Sequence, residues 1–334
     1  LLKRNNKMNK AKIKNIGVFT SGGDTPGMNA AIRAVVRTAL YYDLNVTGIL
    51  RGYDGMIGGE IKQMDRKSVA NIIQRGGTLL KTARSDEFRT KEGRAKAYEQ
   101  LMKNGIDAIV AIGGDGTFTG ANIFHEEFNI PVIGLPGTID NDLIGTDFTI
   151  GYDTAINTVI DAVDKIRDTA ESHDRLFIVE VMGRDSGLIA LRSGIGSGAE
   201  AILIPETKTD INALIHRLEI SRKDKSSKII IVAEGDDVGG AFEISKIVKD
   251  KFPSIDTRVS ILGHIQRGGP PSCMDRVLAS RLGVAAVEAL IEGRTCEMIG
   301  IVNQKIHFTP FSSAIKHNKD LNSELLKIVD ILSL

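Results

Sequence analysis

The apolar run at 108–112 passes straight into Gly113-Gly114-Asp115-Gly116-Thr117, and the run at 132–136 passes into Gly137-Thr138-Ile139-Asp140-Asn141-Asp142. Two short apolar runs that each end in a polar, glycine-containing turn read as neighbouring buried strands. Their carboxyl ends would face one crevice, the edge at which open α/β sheets bind ligands. The first turn offers bare backbone to phosphate oxygens, and Asp115 offers a carboxylate for a divalent cation carried with them. In an extended segment Asp140 and Asp142 project to the same side, as does Thr138. Two such carboxylates can work as a base and its electrostatic partner. Phosphates, a cation and a base on one edge are the parts of a phosphoryl transfer.

The chain has no Walker loop. Gly76-Gly77-Thr78-Leu79-Leu80-Lys81-Thr82 comes nearest, but Leu80 stands where the glycine before the lysine must be. Phosphate binding therefore rests on Gly22-Gly23 after the first strand and on Gly114, Gly116 and Gly120 after the third, with a helix over 117–127 aiming its N-terminus at the anion. The alternative for either loop alone is a tight turn that needs glycine only for its own backbone. For Asp140-Asn141-Asp142 it is an Asx-type turn, and Asp147 and Asp153 read as surface or capping residues. Arginines gather at strand ends: Arg175 before one strand, Arg184 after it, and Arg258 and Arg267 around another, near His264. Guanidinium forks hold phosphates bidentately and stay charged, although any one of these would by itself pass for a solvated surface arginine and His264 for a structural histidine.

Strands that must position these residues are expected at 16–20, 46–50, 108–112, 132–136, 176–181, 201–205, 229–233 and 258–262. The clearest amphipathic helix starts beyond Asp153 or Thr154, either of which could cap it. It carries Ile156, Val159, Ile160, Val163 and Ile166 on one face and Asp161, Asp164, Lys165 and Asp168 on the other. Strand and helix patterns alternate throughout, which predicts an α/β fold of mostly parallel sheets covered by helices on both faces. A chain of 334 residues, 42% hydrophobic and 25% charged, is of soluble globular composition and long enough for one large or two ordinary domains. A net charge of +1 gives no electrostatic case for nucleic acid or membrane. No apolar run approaches the ~18 residues that span a bilayer. Cys273 and Cys296 have no metal-type spacing, so a reducing, cytoplasmic setting is expected. The stretch 1–13 is basic and polar without an apolar core, and reads as a frayed tail with Met8 as the natural initiator.

Four blocks carry a family resemblance: 16–29, including Gly22-Gly23-Asp24; the two turns above; Met182-Gly183-Arg184; and Leu262-Gly263-His264-Ile265-Gln266-Arg267-Gly268-Gly269. In order and spacing, from about Lys14 to about Gln304, they resemble the signature blocks of 6-phosphofructokinases. The resemblance implies two Rossmann-like three-layer domains: residues 14–149 with 264–310 for ATP, residues 150–263 for fructose 6-phosphate, and a C-terminal helical segment at 311–334. Gly23, Arg84, Ser85 and Gly114, Asp115, Gly116 and Thr117 match ATP-contacting positions, with Asp115 at Mg²⁺. Asp140 would take the proton from the sugar's 1-hydroxyl, helped by Thr138 and Asp142, and Arg184 would neutralise the transferring phosphoryl. Thr138, Ile139, Met182, Gly183, Glu234, Ile265 and Gln266 would line the sugar, and Arg175, Arg258, His264 and Arg267 its phosphate. Arg175 and Arg258 reach a neighbour's site in the family, which implies a homotetramer.

A second anionic site is implied at Arg33, Arg37, Arg66, Arg167, Gly198, Glu200, Lys223 and Lys225, matching effector positions of bacterial relatives. Arg33 and Arg37, four apart on one helix, equally describe a solvated face. Where relatives show Lys-Lys-His, this chain reads Lys225-Ser226-Ser227 within the run 222–228, so two of the three positive positions are serine. The rival readings are a pyrophosphate-dependent enzyme of the same fold, a lipid or NAD kinase sharing only Gly-Gly-Asp-Gly, and a non-catalytic nucleotide-sensing subunit. Relatives that use pyrophosphate typically carry Asp at the position of Gly116 and Lys at that of Gly137. Glycine at both favours ATP by leaving room for the whole nucleotide.

Overall fold

The structure is a computed structural model that describes residues 13–220, 227–315 and 323–332. Its strands are β1 (Asn15–Thr20), β2 (Asn45–Ile49), β3 (Ile61–Met64), β4 (Ala108–Gly113), β5 (Val132–Pro136), β6 (Leu176–Val181), β7 (Ala201–Leu203), β8 (Lys228–Ala233), β9 (Thr257–Ile261), β10 (Glu297–Val302) and β11 (Lys305–Pro310). They form two sheets. One has the order β11-β10-β5-β4-β1-β2-β3 and the other the order β7-β8-β6-β9.

The chain divides into two compact units. The first runs to Thr138, includes Leu143–Gly151 and resumes at Gly269; the second holds Ile139–Asp142 and Tyr152–Gly268. Ile139–Asp142 and residues 264–268 thus belong with the second unit, not with the first as the resemblance suggested. For 264–268 the cause is local, since the Gln266 side chain is bonded to the backbone at Met182. Helix Phe311–Ala314 belongs to the first unit and helix Ser323–Leu332 to the second, so 311–334 is not one segment. The stretch 1–12 lies outside the described residues.

In the first unit β2, β1, β4, β5 and β10 run parallel, closed at both edges by the antiparallel strands β3 and β11. Alternation along the strands feeds two cores. Ile16 and Val18 of β1 and Ala108, Val110 and Ile112 of β4 pack with helices Met28–Tyr41 and Cys273–Ile291. Phe19, Ile109 and Ala111 pack on the opposite side with helices Lys91–Lys103 and Asp115–Phe128. Helices therefore cover both faces, as the buried parallel strands require. The sheet reverses direction at β1 and β4, because β2 lies on one side of β1 while β4 and β5 lie on the other.

The second unit's sheet is wholly parallel. Leu176, Ile178, Ile230 and Val232 pack against helices Ile211–Ile220 and Ala241–Lys251. Its direction reverses at β6, which lies between β8 and β9. The amphipathic helix runs Tyr152–Glu171, so it starts before Asp153 and Thr154, and both lie inside it. Val159 and Val163 are buried, but Ile156, Ile160 and Ile166 are half-buried, because the stripe centres on Ala155, Val159, Val163 and Ala170.

Candidate active site

At the carboxyl edge of β1 and β4 the first unit presents the two glycine turns. Gly113 ends β4 with no room for a side chain: a Cβ there would lie 2.3 Å from Thr117 Oγ1 and 2.6 Å from the Ser21 carbonyl oxygen. That close approach lets Thr117 Oγ1 donate to the Ser21 carbonyl at 3.3 Å, joining the turn after β1 to the turn after β4. Asp115 opens the helix Asp115–Phe128, whose N-terminus is of the kind that suits an anion. A Cβ on Gly116 would meet nothing within 4 Å, so the space beside this turn is open.

Gly137 is different. A Cβ on it would lie 3.0 Å from Met28 Cε and 3.1 Å from Ile112 Cγ2, so core side chains fill that space. Of the two glycines expected to leave room, only Gly116 borders open space.

The segment carrying Arg84 and Ser85 is anchored by side chains that the sequence reading missed. Thr82 Oγ1 donates to the Gly22 carbonyl at 2.7 Å, and Asn29 holds the loop before it, taking the Leu79 N–H at 2.6 Å and donating to the carbonyls of Arg75 and Gly76. Beyond it, Arg94 forks onto Glu127 and donates to the carbonyls of Phe88 and Arg89. Tyr53 stacks on Phe88 with ring centroids 3.8 Å apart and donates to the Thr117 carbonyl at 2.6 Å. Burial pushes the Tyr53 hydroxyl well above the ordinary phenol range, so it stays a donor. Arg84 and Gly23 are exposed and Ser85 is half-buried.

In the second unit Asp140 is buried, with 5% of its surface exposed, while Asp142 is half-buried. Only an extended backbone would put the two carboxylates on one side by spacing alone. Asn141, at φ 53°, takes the left-handed conformation instead, so that spacing argument fails; Asn tolerates the region better than most residues. Thr138 is buried and its carbonyl accepts from Thr149 Oγ1 at 2.6 Å.

At the carboxyl edge of β6, Met182-Gly183-Arg184 forms a turn in which Gly183 has φ 150° and Arg184 φ 54°. A Cβ on Gly183 would lie 2.2 Å from the Ser186 carbonyl oxygen, so only glycine fits. Glu234, next after β8, accepts through one oxygen from the N–H groups of Gly183 and Arg184. After β9, the turn Gly263–Arg267 exposes His264 and Ile265 and half-buries Arg267. Gln266, expected on the sugar, is fully buried, and its amide is bonded to Met182 and Gly263, which leaves it no reach to a ligand.

The arginines divide. Arg184 and Arg267 stand at the carboxyl edge, but Arg175 precedes β6 and Arg258 is second in β9, at the amino edge. With six residues in β6 at about 3.3 Å each, the two edges are about 20 Å apart. Asp256, which the sequence reading passed over, gathers the amino-edge pair. Its Oδ2 accepts from Arg175 Nε at 2.7 Å and from Arg258 Nη2 at 3.0 Å. The hydrogen bond from Arg175, and then the charge of Arg258, hold its carboxyl below the usual carboxylate range.

The residues implied in a second anionic site fall in both units. Arg33 and Arg37 lie on helix Met28–Tyr41 and Arg66 is exposed after β3. Burial, and then the charge of Arg37, lower the proton affinity of Arg33. In the second unit Arg167 donates to the Ser197 carbonyl at 2.5 Å, Gly198 ends the helix Leu188–Ser197 at φ 62°, and buried Glu200 takes the Ile229 N–H at 2.7 Å. Lys223, Lys225 and Ser226 lie outside the described residues.

The first unit has glycine turns and an acidic helix start at its sheet's reversal point, and the second a buried carboxylate and strand-end arginines, in an α/β protein whose turns are of the kind that bind phosphate. A profile of the phosphofructokinase family matches residues 15–290, and the chain belongs to that family. It is 57% identical over 322 residues to an "ATP-dependent 6-phosphofructokinase" of Cytophaga hutchinsonii, covering 96% of this chain and 98% of that one. It is 55% identical over 323 residues to "ATP-dependent 6-phosphofructokinase 1" of Thermus thermophilus, covering 96% of this chain and all of that one. Among solved structures, the phosphofructokinase of Saccharomyces cerevisiae superposes with a TM-score of 0.86 at 38% identity over 96% of this chain, which spans about half (47%) of the yeast chain. A pyrophosphate-dependent phosphofructokinase of Marinobacter aquaeolei superposes with a TM-score of 0.84 over 96% of this chain and 91% of that one; at 22% identity it shows the fold alone. The resemblance drawn from the four sequence blocks is borne out.

Proposed function

We propose that the chain transfers the γ-phosphoryl of ATP to the 1-hydroxyl of fructose 6-phosphate, giving ADP and fructose 1,6-bisphosphate. The observations that carry this are a glycine turn at the carboxyl edge of β4, the buried Asp140 beyond β5, and Arg184 and Arg267 at the carboxyl edge of the second sheet, in a chain with near-full-length relatives so named. The first unit would hold the nucleotide through Gly23, Arg84, Ser85 and the Gly114–Thr117 turn. Asp115 fits Mg²⁺, which takes one or two carboxylates and otherwise the substrate's phosphate oxygens and water; the ion would neutralise phosphate charge. Asp140 would receive the proton of the 1-hydroxyl as its oxygen bonds to the γ-phosphorus and the bond to the β-phosphate oxygen breaks. Arg184 would offset the charge spread over the transferring group.

Met182, Gly183, Glu234, His264 and Arg267 would hold the sugar phosphate. Arg175 and Arg258 would hold the sugar phosphate of a neighbouring subunit in a homotetramer, which their place at the opposite edge supports. Arg33, Arg37 and Arg66 would take an anionic effector; Arg33 and Arg37 stand one turn apart on the same helix. A cytoplasmic setting follows from glycolytic chemistry. Among the described residues no helix is long and apolar enough to cross a membrane.

A donor assay tests the reading. ATP should support turnover of fructose 6-phosphate and pyrophosphate should not. Gly116→Asp should sharply weaken ATP use without disturbing the fold, since its Cβ enters open space. Faster turnover with pyrophosphate would overturn the donor and leave the sugar substrate standing.

A further inference from the structure

Three consecutive backbone N–H groups in the turn after β6 end on side chains from the two strands that flank it. Met182 N–H donates to Gln266 Oε1 at 3.3 Å, and those of Gly183 and Arg184 donate to Glu234 Oε1 at 3.2 and 2.7 Å. Glu234 directly follows β8 and Gln266 lies in the turn after β9, so the turn is gripped from both neighbours of β6. Gln266 also donates from Nε2 to the Gly263 carbonyl at 3.0 Å, fixing its own turn with the same amide. The residue so gripped, Arg184, is in a left-handed conformation that L side chains avoid unless the surroundings impose it. Gly235 presses on it from behind, with only 2.2 Å between a Cβ there and the Arg184 carbonyl oxygen.

We infer that Gln266 and Glu234 are positioning residues that impose the Arg184 backbone conformation, and with it the aim of the Arg184 guanidinium at the transferring phosphoryl group. This rests on the kinase reading above. Gln266 acts from the interior, so its loss acts through the turn, on the aim of Arg184 first and on the sugar contacts of Met182 and Gly183 second. An amide is the side chain that can accept from Met182 and donate to Gly263 at once.

The test is Gln266→Met, of similar length and without either hydrogen bond. It should lower kcat about 10²-fold, the usual cost of a misplaced catalytic group, and raise KM for fructose 6-phosphate by much less. Amide hydrogen exchange at 182–184 should quicken in the same protein. Gln266→Glu, which keeps the acceptor for Met182, should recover part of kcat. If Gln266→Met fails to fold, Glu234→Ala serves, because that side chain is exposed and its loss should quicken exchange at Gly183 and Arg184. A normal kcat with unchanged exchange overturns the inference, and so does a raised KM at normal kcat, which would mark Gln266 as a sugar contact. If the wild-type protein failed to turn over fructose 6-phosphate with ATP, the kinase reading would fall. Exchange at 182–184 would still decide whether the two side chains hold the turn.

Discussion

The two carboxyl edges shape their turns by opposite means. In the first unit the turn after β4 is shaped by missing side chains: Gly113 lets two turns touch, and Gly116 leaves space open. In the second unit the turn after β6 is shaped by side chains brought from elsewhere, Glu234 and Gln266, which occupy its N–H groups. A nucleotide's phosphates need backbone donors and room, and glycine supplies both. A transferring phosphoryl group needs one charged side chain aimed accurately, and aim needs support from neighbours.

The largest expected effect separates chemistry from either kind of scaffolding. Asp140→Asn should lower kcat by about 10²–10⁴ while substrate binding persists, as for a lost general base. Steady-state kinetics check this, and near-normal turnover would transfer the role to Asp142.

The edge built from absences is sharpened by paired substitutions. Gly113→Ala should destabilise the fold by about 1–3 kcal/mol, because its Cβ meets Thr117 and backbone oxygen. Gly116→Ala, in open space, should leave the denaturation midpoint near that of the wild type. Equal midpoints for the two would mean that the first turn has slack that its distances deny.

A smaller effect is expected at the amino edge of the second unit. Arg175→Ala and Arg258→Ala should raise KM for fructose 6-phosphate about tenfold, the equivalent of roughly 1.4 kcal/mol of phosphate binding, with kcat little changed. If these arginines serve a neighbour, mixing Arg258→Ala with Asp140→Asn protein under subunit exchange should restore activity. Confirmed hybrids that stay inactive would confine each site to one chain.

The smallest concerns Asp256. Its folded pKa is depressed by Arg175, so its pairing contributes stability above the ordinary carboxylate pKa of about 3.9 and loses it as pH falls through the lower folded value. Urea midpoints of wild type and Asp256→Asn should therefore differ slightly at pH 7 and converge near pH 2. A gap that persists in acid would assign the effect to packing.

The sequence exposed what is periodic and hid what is gathered. β1, β4 and β5 were legible because buried parallel strands are continuous apolar runs ending in glycine turns. β3, with Lys62 and Gln63 exposed, has no such run. The β10–β11 hairpin turns at Asn303 and Gln304, φ 49° and 68°, where a glycine would have announced it. Asp140 was legible as a chemical residue, but the left-handed Asn141 beside it was not. Asp256 and Gln266 matter through partners 81 and 84 positions away, Arg175 and Met182, which one-dimensional spacing does not register.

The contrast among three glycines also has an evolutionary meaning. Gly113 and Gly137 are locked to the packing around them, so their variation is limited by folding before any question of substrate arises. Gly116 faces open space, so folding limits its variation least of the three. On this scaffold, side-chain volume can therefore vary at that position before stability is drawn down, whereas at the two packed glycines stability is drawn down first.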